Sequence, residues 1–171
     1  TGDGLEEVDL FLVDPEASGV TLSQRLNLGS ETTFRVDFEG VRVSEADRIG
    51  GAGSGWKTWN TVMLDGVVLA AAQAAGGAKA ALEITINFAK TREQFGKPLG
   101  AFQSISHYLA DAATQIEGGS TLVYDAAWSR SIGKDTKLMA PLAKLFMCHA
   151  YRDVTAMCQQ VWGGVGFTIE Y

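Results

Sequence analysis

Apolar and small residues recur at Trp56, Trp59, Met63, Val67, Ala70, Ala74, Gly77, Ala81 and Phe88, at spacings of three, four or seven. That is the period of one face of an α-helix, and a strand cannot present it. One helix from about Trp56 to Lys90 is predicted, roughly 50 Å long, which is long for a globular protein. A second run at Phe102, Ile105, Leu109, Ala112, Ile116, Val123 and Ala127 keeps the period. Gly118 and Gly119 sit inside it, each costing about 1 kcal/mol against Ala; the tight approach of a neighbouring helix would account for both. A third run, Leu138, Leu142, Phe146, Ala150, Met157 and Val161, follows the turn "GKD" and ends at "GGVG". Pro141 falls in its first turn or just past it, where a missing N–H costs least. Three long antiparallel helices joined by short loops make most of a helical bundle, so the chain is predicted to be mainly α. The part that closes the bundle is expected outside these residues.

Residues 1–50 read as a short β region ahead of the helical residues 51–171. "VDLFLVD" alternates weakly up to Pro15, and "TFRVDFEGVRV" places Phe34, Val36, Phe38, Val41 and Val43 near period two, with a turn at Glu39-Gly40. Two or three such strands need a partner to form a stable sheet. "GGAGSGW", with four glycines from Gly50 to Gly55, marks the change to the helical pattern.

The 171 residues are 46% hydrophobic and 20% charged, enough apolar material for a core. A net charge of -6 with scattered Lys and Arg leaves no basic face for nucleic acid. Cys148 and Cys158 are separated by about 15 Å if their segment is helical, too far for a mutual disulfide; reduced thiols fit a reducing compartment, taken as cytoplasmic. "VVLAAAQAAGGAKAAL" is interrupted by Gln73 and Lys79 and reads as a closely packed helix rather than a membrane span. No basic segment followed by an apolar core opens the chain, and "TGDGLEEVDL" reads as the middle of a longer protein, so a fragment is expected.

Several polar groupings carry little chemistry. His107 and Asp111 share a helix face, but Ser104 and Ser106 lie on the same rigid cylinder and nothing supplies an oxyanion hole. Cys148 and His149 are adjacent and point about 100° apart, with no second ligand pair at metal spacing. Glu83 and Glu117 lie on different helices and read as solvated, Glu83 with Lys79 one turn away. "GGAGSG" before a helix could cradle a phosphate, but it lacks the Lys-Ser/Thr of a P-loop.

The segment "TREQFGKPLGAFQ", residues 91–103, is denser. Arg92 offers a planar fork for phosphate oxygens, Phe95 and Phe102 offer flat apolar faces, and Gln94 and Gln103 can donate and accept. Those groups suit a nucleotide. They equally suit a turn in which Arg92 caps a helix C-terminus, Gly96 is left-handed and Pro98 stops the helix. On the residues alone the two readings stand level.

"FAKTREQFGKPLGAFQ" followed by "ADAATQIE" resembles a stretch of the flavin-dependent acyl-CoA dehydrogenases, Tyr-x-x-x-Arg-x-x-Phe-Gly-x-x-(Ile/Leu)-x-x-(Phe/His)-Gln. "QQVWGGVGFTIEY" resembles the same family's Gln-x-x-Gly-Gly-x-Gly-(Phe/Tyr)-x-x-(Glu/Asp)-(Tyr/Phe), and "DFEGVRVSEADRIGGAGSGW" resembles its last β-strands and the start of its long helix. The resemblance covers most of residues 34–171 and implies that 1–50 are the end of a middle β-domain and 51–171 most of a C-terminal four-helix bundle. It implies FAD as cofactor, with Arg92 at the diphosphate of a neighbouring subunit's FAD and Phe95, Phe102 and Gln103 lining the same dinucleotide. Gln160, Gly163 and Gly164 match the segment that approaches its adenosine end. The implied assembly is a homodimer or homotetramer, the implied substrate an acyl-CoA thioester, and the implied electron acceptor an electron-transfer flavoprotein.

The implied reaction is α,β-dehydrogenation of the thioester, in which a carboxylate takes the α proton. In most of the family that glutamate follows the motif ending here at Glu170-Tyr171 by some twenty residues, so no catalytic residue is assigned in this chain. A minority places the base on the long helix, at the position of Gly66, which has no group to serve. The next position is commonly Arg in the family and is Val67 here, which loses a charge near the acyl-CoA site. The connection from Leu28 to Phe34 also omits much of what the family uses around the flavin ring. These departures keep open a non-catalytic, dehydrogenase-like subunit beside the enzyme; an acyl-CoA oxidase and a plain helical interaction module complete the alternatives. For the chain alone, weak or no FAD binding, no turnover and self-association through an exposed apolar bundle face are expected.

Overall fold

The structure, a computed structural model, describes residues 8–27, 29 and 31–168. Two compact units divide between Thr61 and Val62.

In the first unit, β1 (Val20–Arg25) and β2 (Thr33–Phe38) form an antiparallel pair, with Val20 opposite Phe38 and Arg25 opposite Thr33. The alternation of Phe34, Val36 and Phe38 therefore does mark a strand, but all six residues of β2 are exposed. The rest of the β prediction is corrected. "VDLFLVD" contributes only one bridge, Phe11 opposite Arg48, and Val41 and Val43 lie beyond the turn in irregular chain. Pairing explains the difference: a strand needs a partner at matching register, and "VTLSQR", unremarkable by hydrophobic pattern, supplies it for β2 alone. Leu28 lies outside the described residues. Around the bridge, Arg48 reaches Asp9 at 3.4 Å and sits 5.6 Å from the centre of the Phe11 ring.

The glycine-rich loop does not hold a phosphate cradle open. Gly53 donates its N–H to the Asp9 carboxylate at 2.7 Å and Gly55 donates to the Val8 carbonyl at 2.9 Å. The donors are committed, and the carboxylate among them would repel an anion.

The second unit is a bundle of long helices. α1 (Gly55–Thr91) runs 37 residues, about 55 Å at helical rise. Two strands of two residues each, β3 (Glu93–Gln94) and β4 (Lys97–Pro98), follow as a miniature hairpin. Then come α2 (Gln103–Ser131) and α3 (Met139–Trp162), and a 3₁₀ turn over Gly163–Phe167. The order is up-down-up. Arg130 near the end of α2 holds Asp65 near the start of α1, while Phe88 and Trp162 join the last turns of α1 and α3. α2 ends on Gly133 at φ 73°, and Lys134 donates back to the Ser129 carbonyl. Pro141, third residue of α3, sits where no helical N–H is needed.

All three helices feed one core, and alanine dominates it: Ala71 and Ala78 from α1, Ala112 and Ala126 from α2, and Ala140, Ala143 and Ala150 from α3 are each at most 4% exposed. Ile116, Met147 and Val154 fill the space between. Such small side chains let helices approach closely. At Gly119 even a methyl is excluded, because a Cβ there would meet the Met147 sulfur, with Phe146 at 3.0 Å. Gly118 is different: its Cβ would meet nothing within 4 Å, so the close approach expected for both glycines exists for one. By length and composition α1 would also satisfy a membrane span; here it contributes Val68, Ala71, Ala78 and Leu82 to the bundle core.

Candidate functional site

The end of the bundle where α1 stops collects the residues singled out in the sequence. α1 is closed by Thr91, whose hydroxyl donates to the carbonyls of Asn87 and Phe88. Arg92 does not cap the helix. Its backbone N–H still donates to the Phe88 carbonyl at 2.8 Å, and its own carbonyl accepts from Leu99. Its exposed guanidinium has no hydrogen-bond or ion-pair partner among the described residues. Nor does Pro98 stop the helix, which has already ended at Thr91; Pro98 pairs with Glu93 in the hairpin.

The hairpin turn is Phe95-Gly96, at φ 53° and 78°. Two successive positive φ angles are what a two-residue hairpin loop needs, and Gly96 adopts its value freely. Phe95 does not: it is the one non-glycine residue at positive φ among the described residues, and it is 94% exposed. A large aromatic is thus held in a strained conformation with almost no burial to compensate. Its ring meets Phe102 edge-on at 6.3 Å between centroids, and Lys97 Nζ lies 4.2 Å from the Phe102 centroid. Phe102 stands at the N-cap of α2, where its side chain cannot cap, and Gln103 opens the helix exposed to solvent.

The second motif reaches the same end of the bundle. Gln160 is exposed on the last turn of α3 and its carbonyl accepts from Gly163, which takes φ 63° as the chain turns. A Cβ on Gly163 or Gly164 would meet nothing within 4 Å. Gly166 behaves otherwise, since a Cβ there would fall 2.8 Å from the Gln159 carbonyl. Packing within the chain explains Gly166. It does not explain Gly164, whose bare backbone is open to a group from outside.

The two segments are joined by contacts that pattern reading did not foresee. Phe88 stacks on Trp162 with centroids 4.0 Å apart and ring planes at 12°. Trp162 Nε1–H donates to the hydroxyl of Thr85 at 3.1 Å. The only sequence signals were an aromatic four residues before Arg92 and another immediately before Gly163.

Other groupings stay apart. His107 and Asp111 are exposed, with no contact between them, and Ser106 bonds its own helix at the Gln103 carbonyl. Glu83 and Glu117 are exposed and do not meet, and Lys79 makes no ion pair with Glu83. Both cysteines are free, Cys148 half-buried and Cys158 buried. Gly66 is exposed and Val67 half-buried beside the core. Asp65, one residue earlier, binds Arg130 with 2.9 Å between Nη2 and Oδ2. The Arg130 hydrogen bond holds the Asp65 carboxyl below its ordinary range, the opposite of what a general base near neutral pH requires. Glu170 and Tyr171 lie outside the described residues.

The flat rings, the uncommitted guanidinium and the bare backbone at Gly163 and Gly164 suit a ligand that carries both phosphate and planar rings. Residues 53–171 match the family model for the C-terminal domain of acyl-CoA dehydrogenases. The short-chain specific acyl-CoA dehydrogenase of Megasphaera elsdenii is 34% identical over 171 residues, covering 98% of this chain and 45% of that protein. The caffeyl-CoA reductase-Etf complex subunit CarC of Acetobacterium woodii is 31% identical, with coverage of 98% and 45%. The solved structure of butyryl-CoA dehydrogenase from M. elsdenii superposes at a TM-score of 0.93 with 35% identity, over 100% of this chain and 45% of that one. The chain thus spans about 45% of the length of the relatives it matches.

Proposed function

This chain belongs to the acyl-CoA dehydrogenase family, and from that premise we propose that it supplies one edge of an FAD site in an enzyme that dehydrogenates an acyl-CoA thioester between Cα and Cβ. FAD, when bound, supplies the two-electron oxidising power of the reaction. The residues here bind and orient it. Arg92 offers its fork to diphosphate oxygens, Phe95 and Phe102 present ring faces and edges, and Gln103 and Gln160 offer amide donors and acceptors. Gly163 and Gly164 let a ring system lie against backbone. Arg92, Phe95, Gln103, Gln160 and Gly164 are exposed and Phe102 and Gly163 half-buried, which fits a cofactor held chiefly by another subunit and completed from this side, in a homodimer or homotetramer. An electron-transfer flavoprotein is the matching electron acceptor, and one matched relative is named as a subunit of an Etf complex. A reducing, cytoplasmic setting accords with the two free thiols.

The observation that carries this reading is that Thr91, not Arg92, closes α1, leaving the guanidinium uncommitted at the exposed end. FAD affinity of the full-length protein, followed by flavin fluorescence, tests it. Arg92→Ala should weaken binding about tenfold to a hundredfold, the worth of one charge-assisted hydrogen bond. An unchanged affinity sinks the proposal.

One observation favours the second reading, a non-catalytic subunit of a hetero-oligomer. Gly66 has no side chain, Val67 carries no charge, and Asp65 is tied to Arg130, so this stretch of α1 presents no free base. Turnover of acyl-CoA with a dye acceptor separates the two. Activity in the protein purified alone supports the enzyme, and activity that requires an added partner supports the subunit.

A further inference from the structure

We infer that Thr85 and Trp162 are positioning residues that fix the spacing between the two halves of the FAD edge; the inference rests on the proposed reading of that edge. Arg92 is anchored to Phe88 by the 2.8 Å bond from its N–H to the Phe88 carbonyl. Phe88 lies flat on Trp162, 4.0 Å between centroids. Trp162 immediately precedes Gly163 and Gly164. A continuous path of one backbone hydrogen bond and one ring stack therefore joins the guanidinium segment to the bare-backbone segment.

Stacking alone leaves the rings free to slide, and the Thr85 hydroxyl removes that freedom. Thr85 is 1% exposed. Its hydroxyl donates to the Ala81 carbonyl at 2.8 Å and accepts the indole N–H of Trp162 at 3.1 Å, so a lone pair of an oxygen held on α1 is aimed at the indole. The oxygen sits on α1 and the donor on α3, which pins the indole along the helix axis. The turn after Trp162 is fastened as well: Gln159 Nε2–H donates to the Gly166 carbonyl at 3.1 Å, and Gly166 packs against the Trp162 Cβ. A ligand that must touch both segments at once gains from holding them at one separation before it arrives.

The test is the FAD dissociation constant of the full-length protein, by flavin fluorescence, for Thr85→Val, Thr85→Ser, Trp162→Phe, Arg92→Ala and the core control Met147→Ala. Thr85→Val is isosteric and removes the hydroxyl that accepts from the indole; Trp162→Phe keeps a ring and removes the donor. Each should weaken FAD about fivefold, the worth of one neutral hydrogen bond, and Thr85→Ser should restore wild-type affinity. Met147→Ala lowers the melting temperature without touching the clamp and should leave FAD affinity nearly unchanged. The inference is overturned if Thr85→Val and Trp162→Phe bind FAD like wild type while Arg92→Ala does not; the edge would stand and the clamp would fall. Equal weakening by Met147→Ala also overturns it, because the loss would then track stability alone. If Arg92→Ala has no effect, the underlying site reading fails first.

Discussion

Gly118 and Gly119 are adjacent in α2 and chemically identical, yet alanine should have opposite effects at the two positions. At Gly118 the added methyl meets nothing within 4 Å, so the change is one of helix propensity. Alanine is favoured over glycine in a helix interior by about 1 kcal/mol. At Gly119 the same gain applies, but the new Cβ overlaps the Met147 sulfur and stands 3.0 and 3.1 Å from two ring carbons of Phe146, inside the spacing of about 3.5–4.0 Å at which such atoms rest. Met147 is 0% exposed, so its sulfur can give way only by shifting packed neighbours. Overpacking of that kind costs about 1–3 kcal/mol. Propensity cancels when the two variants are compared, so Gly119→Ala should be less stable than Gly118→Ala by about 1–3 kcal/mol, with Gly118→Ala above wild type. Urea midpoints at constant m-value measure this directly. Shortening the obstruction with Met147→Val in the Gly119→Ala background should recover part of the loss as a favourable coupling. Equal stabilisation by both alanines would refute the claim that α3 closes on α2 at Gly119.

Phe95→Asn should relieve the left-handed strain and create the preferred Asn-Gly hairpin loop, raising stability by about 1 kcal/mol while weakening FAD; a lower melting temperature would show that the turn is not strained. Asp65 titrates below its ordinary 3.8 because of Arg130, so the pair stabilises above that value and its contribution is lost as pH falls through the lower, folded value. Asp65→Asn should therefore reduce stability near neutral pH by an amount that shrinks as acid protonates the folded carboxyl; a loss that does not shrink in acid would remove the ion pair as the cause. Burial pushes the Cys158 thiol up, partly offset by a hydrogen bond with Thr85, so iodoacetamide at mildly alkaline pH should label Cys148 well before Cys158. Equal labelling rates would contradict the buried placement.

The helices were legible because three- and four-residue spacing over many turns has no competing interpretation; their ends fell within a residue of Trp56, Lys90, Phe102, Leu138 and Val161, while α2 runs four residues past Ala127 to Ser131. The strands were not. "VDLFLVD" is as apolar as β2, but pairing depends on a partner at register, and no local pattern records that "VTLSQR" is the partner. The hairpin at Glu93–Pro98 was hidden because its loop begins with Phe rather than the usual Asn or Asp. At the site, Arg92, Phe95 and Gln103 could be named in advance as residue types suited to a nucleotide, level with a capped turn, and Gly164 only through the family resemblance. What commits Thr91 to the helix end and frees Arg92 is a choice between neighbouring hydrogen-bonders, and only coordinates settle it. Likewise the Phe88–Trp162 stack joins residues far apart in sequence. The glycine loop, weak as a phosphate signal in the sequence, is no cradle in the structure, since the Gly53 and Gly55 N–H groups are taken by Asp9 and Val8.

The alanine core has a consequence for how this protein can change over generations. At Ala71, Ala78, Ala126, Ala140 and Ala143, each 0% exposed, the only smaller residue is glycine, which weakens the helix, and any larger one must push a neighbouring helix away. Neither direction is open to a single substitution. Drift at these positions should therefore proceed by compensated pairs, one helix gaining a methyl where the facing helix loses one, so that the volume between the helices, rather than the identity of any residue, is what is inherited.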